Sequence, residues 1–148
     1  QYKLGLAHMA LGDYEAAVTA FEQVIARYPD SPLVDDARFQ IAQASLKGTF
    51  RAGYDQAPTD AAMRELEVFL REYPESELTE QARTRLEELK ERRAQHEYQI
   101  GQFYEQRLRL AAARRSYEIV VQHFGTTAWA PQAAARLEVL QHVLEPAQ

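Results

Sequence analysis

Arg27-Tyr28-Pro29-Asp30-Ser31 is a motif that occurs again, 45 residues later, as Glu72-Tyr73-Pro74-Glu75-Ser76. A weaker third copy, His123-Phe124-Gly125-Thr126-Thr127, follows 51 residues after the second. At the same distance beyond each copy lies an alanine within a helical pattern: Ala37, Ala82 and Ala133. Proline cannot continue a helix, so the first two copies predict turns between helices. The chain is therefore best understood as a set of internal repeats.

The residues before the first motif match the tetratricopeptide pattern, whose period is about 34 residues. Gly5 and Ala17 are small enough to let two helices approach closely, and Phe21 would fill the space beside them. Gly12 can take the left-handed conformation that ends a helix. Asp13 is a favourable N-cap for the next helix. The first unit is thus predicted to be a helical hairpin.

The later units are longer than the tetratricopeptide period. The second contains an insertion, Lys47–Pro58, whose glycines and proline predict an interruption of helix, and Thr59 would cap the helix that resumes. The third is predicted to open with one long helix, about Glu77–Gln106, and the last to be one helix that ends near Leu144. The predicted fold is an all-α tetratricopeptide-repeat solenoid of about three repeats plus one further helix. Its units are residues 1–30, 31–75, 76–125 and a partial 126–148.

Composition narrows the possible functions. With 17 Lys and Arg against 22 Asp and Glu, the net charge is −5, which disfavours nucleic acid as a partner. The absence of cysteine excludes disulfides and thiolate chemistry. No apolar run is long enough to span a bilayer. The chain opens at Gln1 in a helical pattern without an initiator methionine, so we expect a fragment of a longer protein.

Catalytic motifs are missing from the sequence. The histidines are His8, His96, His123 and His142, and none lies three or four residues from another, as a helical metal pair requires. The glycines fall at repeat turns or in the insertion rather than in a phosphate-binding loop. The carboxylates lie on predicted solvent faces. We therefore predict a protein that binds other proteins, with no enzymatic activity and no cofactor.

Two features are candidates for a binding surface. Basic residues concentrate in the third repeat: Lys90, Arg92, Arg93, Arg107, Arg109, Arg114 and Arg115. They form either a solvated face or a docking patch for an acidic protein surface, since arginine is a favoured interface residue. Trp129, the single tryptophan, opens the last helix and either packs between repeats or anchors a partner.

The order of several motifs resembles the BamD family of bacterial outer-membrane assembly lipoproteins. The insertion ends in the motif of residues 54–59, Tyr-Asp-Gln-Ala-Pro-Thr, and the second turn continues into Ser76–Ala82. Residues Leu89–Tyr98 then lead along a long helix to Phe103-Tyr104, and the three alanines Ala111–Ala113 follow. The resemblance covers nearly the whole chain. Its individual motifs are short, and their order and spacing carry it.

The resemblance implies a subunit of the machinery that inserts β-barrel proteins into the outer membrane. It implies a position on the periplasmic face, held by a lipidated N-terminal cysteine that this chain lacks. The implied partners are the periplasmic domains of the barrel subunit, other lipoprotein subunits and unfolded outer-membrane protein peptides. The candidate partner-binding residues are Arg107, Arg109, Arg114, Arg115, Ser116 and Trp129. Family members often have arginine at the position of Ser116 and proline at that of Gly125.

Two alternatives lie outside this family. Another periplasmic tetratricopeptide adaptor, coordinating cell-envelope or division proteins, would have more closely spaced repeats than the 45 and 51 residues found here. A cytosolic adaptor of the co-chaperone type would hold a terminal carboxylate with lysine and asparagine, but this chain contains no asparagine. Both alternatives share the predicted fold and differ in partner.

Overall fold

Helices account for all the regular structure in the described part of the chain, residues 1–52 and 56–144 of a computed structural model. Side chains are described at all of these positions except 49–52 and 58. Within these ranges the helices are α1 (Tyr2–Leu11), α2 (Tyr14–Arg27), α3 (Val34–Ala52), α4 (Ala57–Glu72), α5 (Thr79–Gln106), α6 (Leu110–His123) and α7 (Trp129–Leu144). The predicted all-α fold is confirmed, and the long helix of the third repeat begins two residues later than expected.

The chain divides into two compact units, Gln1–Leu86 and Glu87–Gln148, with the boundary inside α5. In the first unit, α2 packs against α1 and α3, and α3 packs against α4. In the second, α6 packs against α7. The boundaries proposed for the four repeats remain a prediction.

The three turns that follow α2, α4 and α6 share one backbone pattern. The C-cap of each helix is an aromatic residue, Tyr28, Tyr73 or Phe124, whose N–H donates to the carbonyl four residues earlier. Its own carbonyl accepts the N–H of the serine or threonine three residues on, at 3.0 to 3.1 Å. The pattern persists at the third turn although Gly125 stands where the other two have proline. These main-chain bonds, more than the proline itself, define the repeat.

Equivalent positions of α2, α4 and α6 form the cores of the hairpins. All nine side chains are buried: Ala17, Phe21, Val24, Ala62, Leu66, Phe69, Ala113, Tyr117 and Val120. The alanines after each turn, Ala37, Ala82 and Ala133, are fully buried as well. Small residues at one level and large residues at the next let the helices interdigitate at high density.

The expectation of a non-helical insertion over Lys47–Pro58 is wrong at both ends. Helix α3 continues through Gly48 to Ala52, and α4 begins at Ala57, before Thr59. Ala44 and Leu46 are buried, so packing holds α3 up to that point against the cost of about 1 kcal/mol for a helical glycine. The middle of the insertion, residues 53–55, lies outside the described residues.

The predicted cap of α4 is also wrong. Gln56 is the N-cap and makes no side-chain capping bond, while Thr59 lies inside the first turn. Proline in that first turn supplies a pre-set φ and has no N–H to leave unpaired, so the helix can start without a side-chain cap. The first hairpin is capped as predicted, because the Ala16 N–H donates to the Asp13 carboxylate at 3.3 Å.

Candidate protein-binding surface

The third hairpin, formed by the end of α5 with α6, contains most of the residues predicted to bind a partner. Tyr98 of α5 contacts two rings, Tyr117 of α6 and Trp129 of α7, each at 5.3 Å between ring centroids. Trp129 is half-buried by this contact. The packing alternative considered for Trp129 thus agrees with the structure, and a direct role in binding a partner stays a prediction.

A polar network lies beside these rings. The Tyr117 hydroxyl donates to one carboxylate oxygen of Glu105 at 2.8 Å, and the Arg136 guanidinium bonds both oxygens of the same carboxylate. Hydrogen bonding from Arg136 lowers the pKa of Glu105 from its ordinary value. Burial, together with the Glu105 carboxylate, raises the pKa of Tyr117. The network lines a cavity of about 500 Å³ with Tyr98, Gln102 and Gln106. The sequence analysis did not find this network.

The four predicted arginines of this hairpin are all exposed. Arg107 places its guanidinium 3.6 Å from the centroid of the Phe103 ring and donates to the Phe103 carbonyl at 3.3 Å. Arg109 is the N-cap of α6 and makes no side-chain capping bond. Arg114 pairs with Glu118 at 2.8 Å, while Arg115 is exposed on the same turn of α6. The structure thus gathers these four side chains within nine consecutive residues of one turn and one helix start.

Ser116 differs from its neighbours. It is only 5% exposed, because it lies on the face of α6 that also carries Ala113, Tyr117 and Val120 into the core. A buried hydroxyl offers a partner almost no surface. Ser116 was predicted from its position in a family motif, although its spacing of three residues from Ala113 and four from Val120 already placed it on the apolar face of the helix.

The turn that leads from α5 to α6 contains one further residue that the sequence analysis missed. Leu108 has a φ of 57° and is 83% exposed. Its N–H bonds the Glu105 carbonyl at 2.9 Å, and the Arg109 N–H bonds the Tyr104 carbonyl at 2.9 Å. The available signal was Gly12, which occupies the corresponding place 96 residues earlier in the first hairpin.

The described residues contain neither a metal-binding cluster nor a membrane-spanning helix. Within 1–52 and 56–144, no three histidine or acidic side chains are grouped so that they could bind a metal ion. None of the helices described has the length and apolar character needed to cross a membrane.

Comparison with known proteins agrees with this fold. A family model described as tetratricopeptide repeat matches residues 1–31, and one described as outer membrane lipoprotein, YfiO, matches residues 46–147. The outer membrane protein assembly factor BamD of Caulobacter vibrioides is 27% identical over 133 residues, which are 90% of this chain and 44% of that protein. The chain therefore spans less than half the length of this curated relative.

The family follows from these matches together with the fold. The lipoprotein match covers more than half of the chain, and the tetratricopeptide match covers the first hairpin, whose turn and core have the predicted geometry. The resemblance noted from the order of the motifs is confirmed. The chain belongs to the YfiO family of outer membrane lipoproteins, and it is similar to the assembly factor BamD of Caulobacter vibrioides.

Proposed function

We propose that this chain is a non-catalytic, protein-binding part of a BamD-like factor that assembles β-barrel proteins into the outer membrane. Membership of an outer membrane lipoprotein family and similarity to a BamD protein over 90% of the chain support this proposal. The same relationship supports a position on the periplasmic face of the outer membrane. The envelope or division adaptor considered above is not favoured by these matches.

We define the docking surface as the four exposed arginines of the third hairpin: Arg107, Arg109, Arg114 and Arg115. Four exposed guanidinium groups, of which Arg114 is paired with Glu118, give this hairpin a local excess of positive charge on a chain of net charge −5. Such an excess steers an acidic partner and sets its orientation. Arginine is also enriched among residues that dominate binding energy. We propose that the partner is the periplasmic region of the barrel subunit, with other lipoprotein subunits and unfolded substrate peptides as further ligands.

The single observation that carries this assignment is that the structure leaves all four arginines exposed on one hairpin. Substituting Arg107, Arg109, Arg114 and Arg115 together by glutamate in the full-length protein should weaken binding to the purified periplasmic domains of the barrel subunit by at least about tenfold. Biolayer interferometry at two salt concentrations measures this. The loss should come largely from the association rate and shrink at high salt.

A matched control makes the same change in charge elsewhere. Lys3, Arg27, Arg64 and Arg71 are exposed residues of the first unit, and substituting them together by glutamate alters the net charge equally. This control should retain most of the affinity. Equal losses in both variants would show a general effect of charge, and unchanged affinity in the first variant would remove the arginine surface from the proposal.

A further inference from the structure

Leu108 is held in a backbone conformation that its side chain disfavours. It is the one non-glycine residue with positive φ among those described, and its φ is 57°. In this left-handed region the β-carbon of an L residue lies too close to the neighbouring carbonyl oxygen. Such strain is concentrated at binding and switch sites, so an observed outlier is a reason to look for function.

The first hairpin contains the same turn with an unstrained residue. Gly12 has a φ of 76°, and its N–H bonds the Met9 carbonyl while the next N–H bonds the His8 carbonyl. In the third hairpin the N–H of Leu108 and the N–H of Arg109 repeat this pattern 96 residues later. Glycine therefore fits this turn without strain. Leucine at the same place adds strain, and the backbone hydrogen bonds of the turn are the same with either residue.

Packing within the hairpin does not compensate for the strain. The Leu108 side chain is 83% exposed, so its apolar surface remains in water. The nearby Phe103 ring is 48% exposed and lies beneath the Arg107 guanidinium. A cation over an aromatic face is attracted by the ring's electron density, which holds Arg107 in place. The turn thus presents an apolar tip with an ordered arginine on one side and Arg109 on the other.

We propose that Leu108 is the apolar anchor of the docking surface, inserting into an apolar pocket rimmed by carboxylates on the partner protein. The inference rests on the proposed function, which supplies the partner as the periplasmic domains of the barrel subunit. The core of a protein interface is more apolar and poorer in charged residues than its rim, which is polar and solvent-accessible. Here the rim groups are Arg107 and Arg109, which complement acidic side chains. Burial on binding then provides the contact that the free hairpin lacks.

The test uses Leu108→Gly, for which stability and binding should change in opposite directions. Glycine relieves the left-handed strain, so the melting temperature of the full-length protein should rise by roughly 2–4 °C. The affinity for the purified periplasmic domains of the barrel subunit should fall about tenfold, mainly through faster dissociation. Because a more stable variant cannot lose binding through unfolding, the loss would report the missing side chain.

Three further variants complete the design: Leu108→Met, Leu108→Ser and Leu11→Ser. Leu108→Met keeps an apolar side chain of similar volume and should bind within about threefold of the natural protein. Leu11→Ser is the control, since Leu11 is 79% exposed at the end of α1 but has ordinary helical backbone. Its affinity should be unchanged. Equal loss in Leu11→Ser and Leu108→Ser would overturn the proposal, because any exposed leucine would then matter.

The outcomes separate this inference from the proposed function. If Leu108→Gly binds normally while the four-arginine variant does not, the anchor is overturned and the arginine surface stands. If Leu108→Gly loses binding while the four-arginine variant does not, the anchor is supported and the electrostatic assignment fails. Normal binding by both overturns both. A Leu108→Gly protein that melts at or below the natural temperature would refute the argument from strain.

Discussion

The first and third hairpins place equivalent residues 96 positions apart, and their cores share one geometry. Tyr2 and Phe21 meet at 5.5 Å between ring centroids, and Tyr98 and Tyr117 meet at 5.3 Å. A β-carbon added to Gly5 would lie 2.5 Å from the Phe21 ring, and one added to Gly101 would lie 2.6 Å from the Tyr117 ring. In both hairpins a glycine lets one helix lie directly against an aromatic ring of the other.

The two hairpins differ in the chemistry placed on this shared geometry. Met9 of the first hairpin packs against a buried apolar cluster that includes Phe21. At the corresponding place in the third hairpin, Glu105 accepts the Tyr117 hydroxyl and pairs with Arg136. A buried hydroxyl needs an acceptor, and a partly buried carboxylate needs a counter-charge. The three polar groups of the third hairpin, Tyr117, Glu105 and Arg136, therefore satisfy one another's hydrogen-bonding and charge requirements.

The turns differ in the same direction. The first hairpin has Gly12 with an unstrained positive φ and Asp13 with a side-chain capping bond. The third has Leu108 and Arg109 at these places, with strain at one and no side-chain cap at the other. A left-handed non-glycine residue is disfavoured by about 1–2 kcal/mol. The turn of the third hairpin thus contributes less to stability than that of the first. It instead exposes an apolar residue and a basic residue to solvent.

The largest change in the free energy of unfolding is expected at the two glycines that lie against an aromatic ring. Gly101→Ala should lower the free energy of unfolding by about 2 kcal/mol, because the new methyl group would collide with the buried Tyr117 ring. Gly5→Ala should lower it by about 1 kcal/mol, since the ten-residue α1 can shift more easily than the 28-residue α5. Urea denaturation followed by circular dichroism measures both.

Gly48→Ala is the matched control for these two substitutions. Its added β-carbon would meet its nearest neighbour, the Tyr14 β-carbon, at 3.7 Å, which is ordinary contact. Helix propensity then favours alanine, so stability should be unchanged or rise by up to about 1 kcal/mol. A loss at Gly48 as large as that at Gly101 would mean that the close approach to Tyr117 is not the cause.

An intermediate change in the free energy of unfolding is expected for the polar network of the third hairpin, which has no counterpart among the described residues of the apolar core of the first. Glu105→Gln should lower the free energy of unfolding by about 1 kcal/mol at neutral pH, since the pair with Arg136 is only partly shielded from solvent. The folded-state pKa of Glu105 lies below its ordinary value of 4.5. The carboxylate therefore stabilises the fold above about pH 4.5 and loses this contribution as the pH falls through the lowered pKa.

Unfolding curves between pH 3 and pH 7 test this dependence. The natural protein and Glu105→Gln should differ at pH 7 and converge at the acidic end. Glu118→Gln removes the more exposed pair with Arg114 and should change stability by less than about 0.5 kcal/mol at any pH. A difference for Glu105→Gln that stayed constant with pH would contradict a role for the ionised carboxylate.

The smallest effect concerns the caps of α2 and α6. Asp13→Ala should lower the free energy of unfolding by about 0.5 kcal/mol, because it removes a capping bond that is long at 3.3 Å. Arg109→Ala should leave stability nearly unchanged, since no capping bond is lost there. Differential scanning calorimetry of the two variants measures the contrast. Equal destabilisation would mean that the two turns are not distinguished by their caps.

Local features made much of the fold predictable. Helices α1 to α7 of the described residues, the turn at Gly12 and the buried alanines after each turn follow from periodicity and turn chemistry, which act between residues close in the chain. The continuation of α3 through Gly48 could not be predicted in this way. Ala44 packs in a buried cluster with Phe21 and Val24 of α2, and this contact between residues distant in the chain favours helix where the local sequence favours a break.

An all-α repeat architecture, the family resemblance and a concentration of arginine in the third hairpin could all be predicted from the amino-acid sequence. The exposure of the candidate binding residues became known from the tertiary structure, in which Ser116 is buried and the four arginines are exposed to solvent. The tertiary structure also joined Glu105 to Arg136 across 31 residues and placed Leu108 at positive φ. The physical reason is that exposure and charge pairing depend on which surfaces come together, and these are distant along the chain.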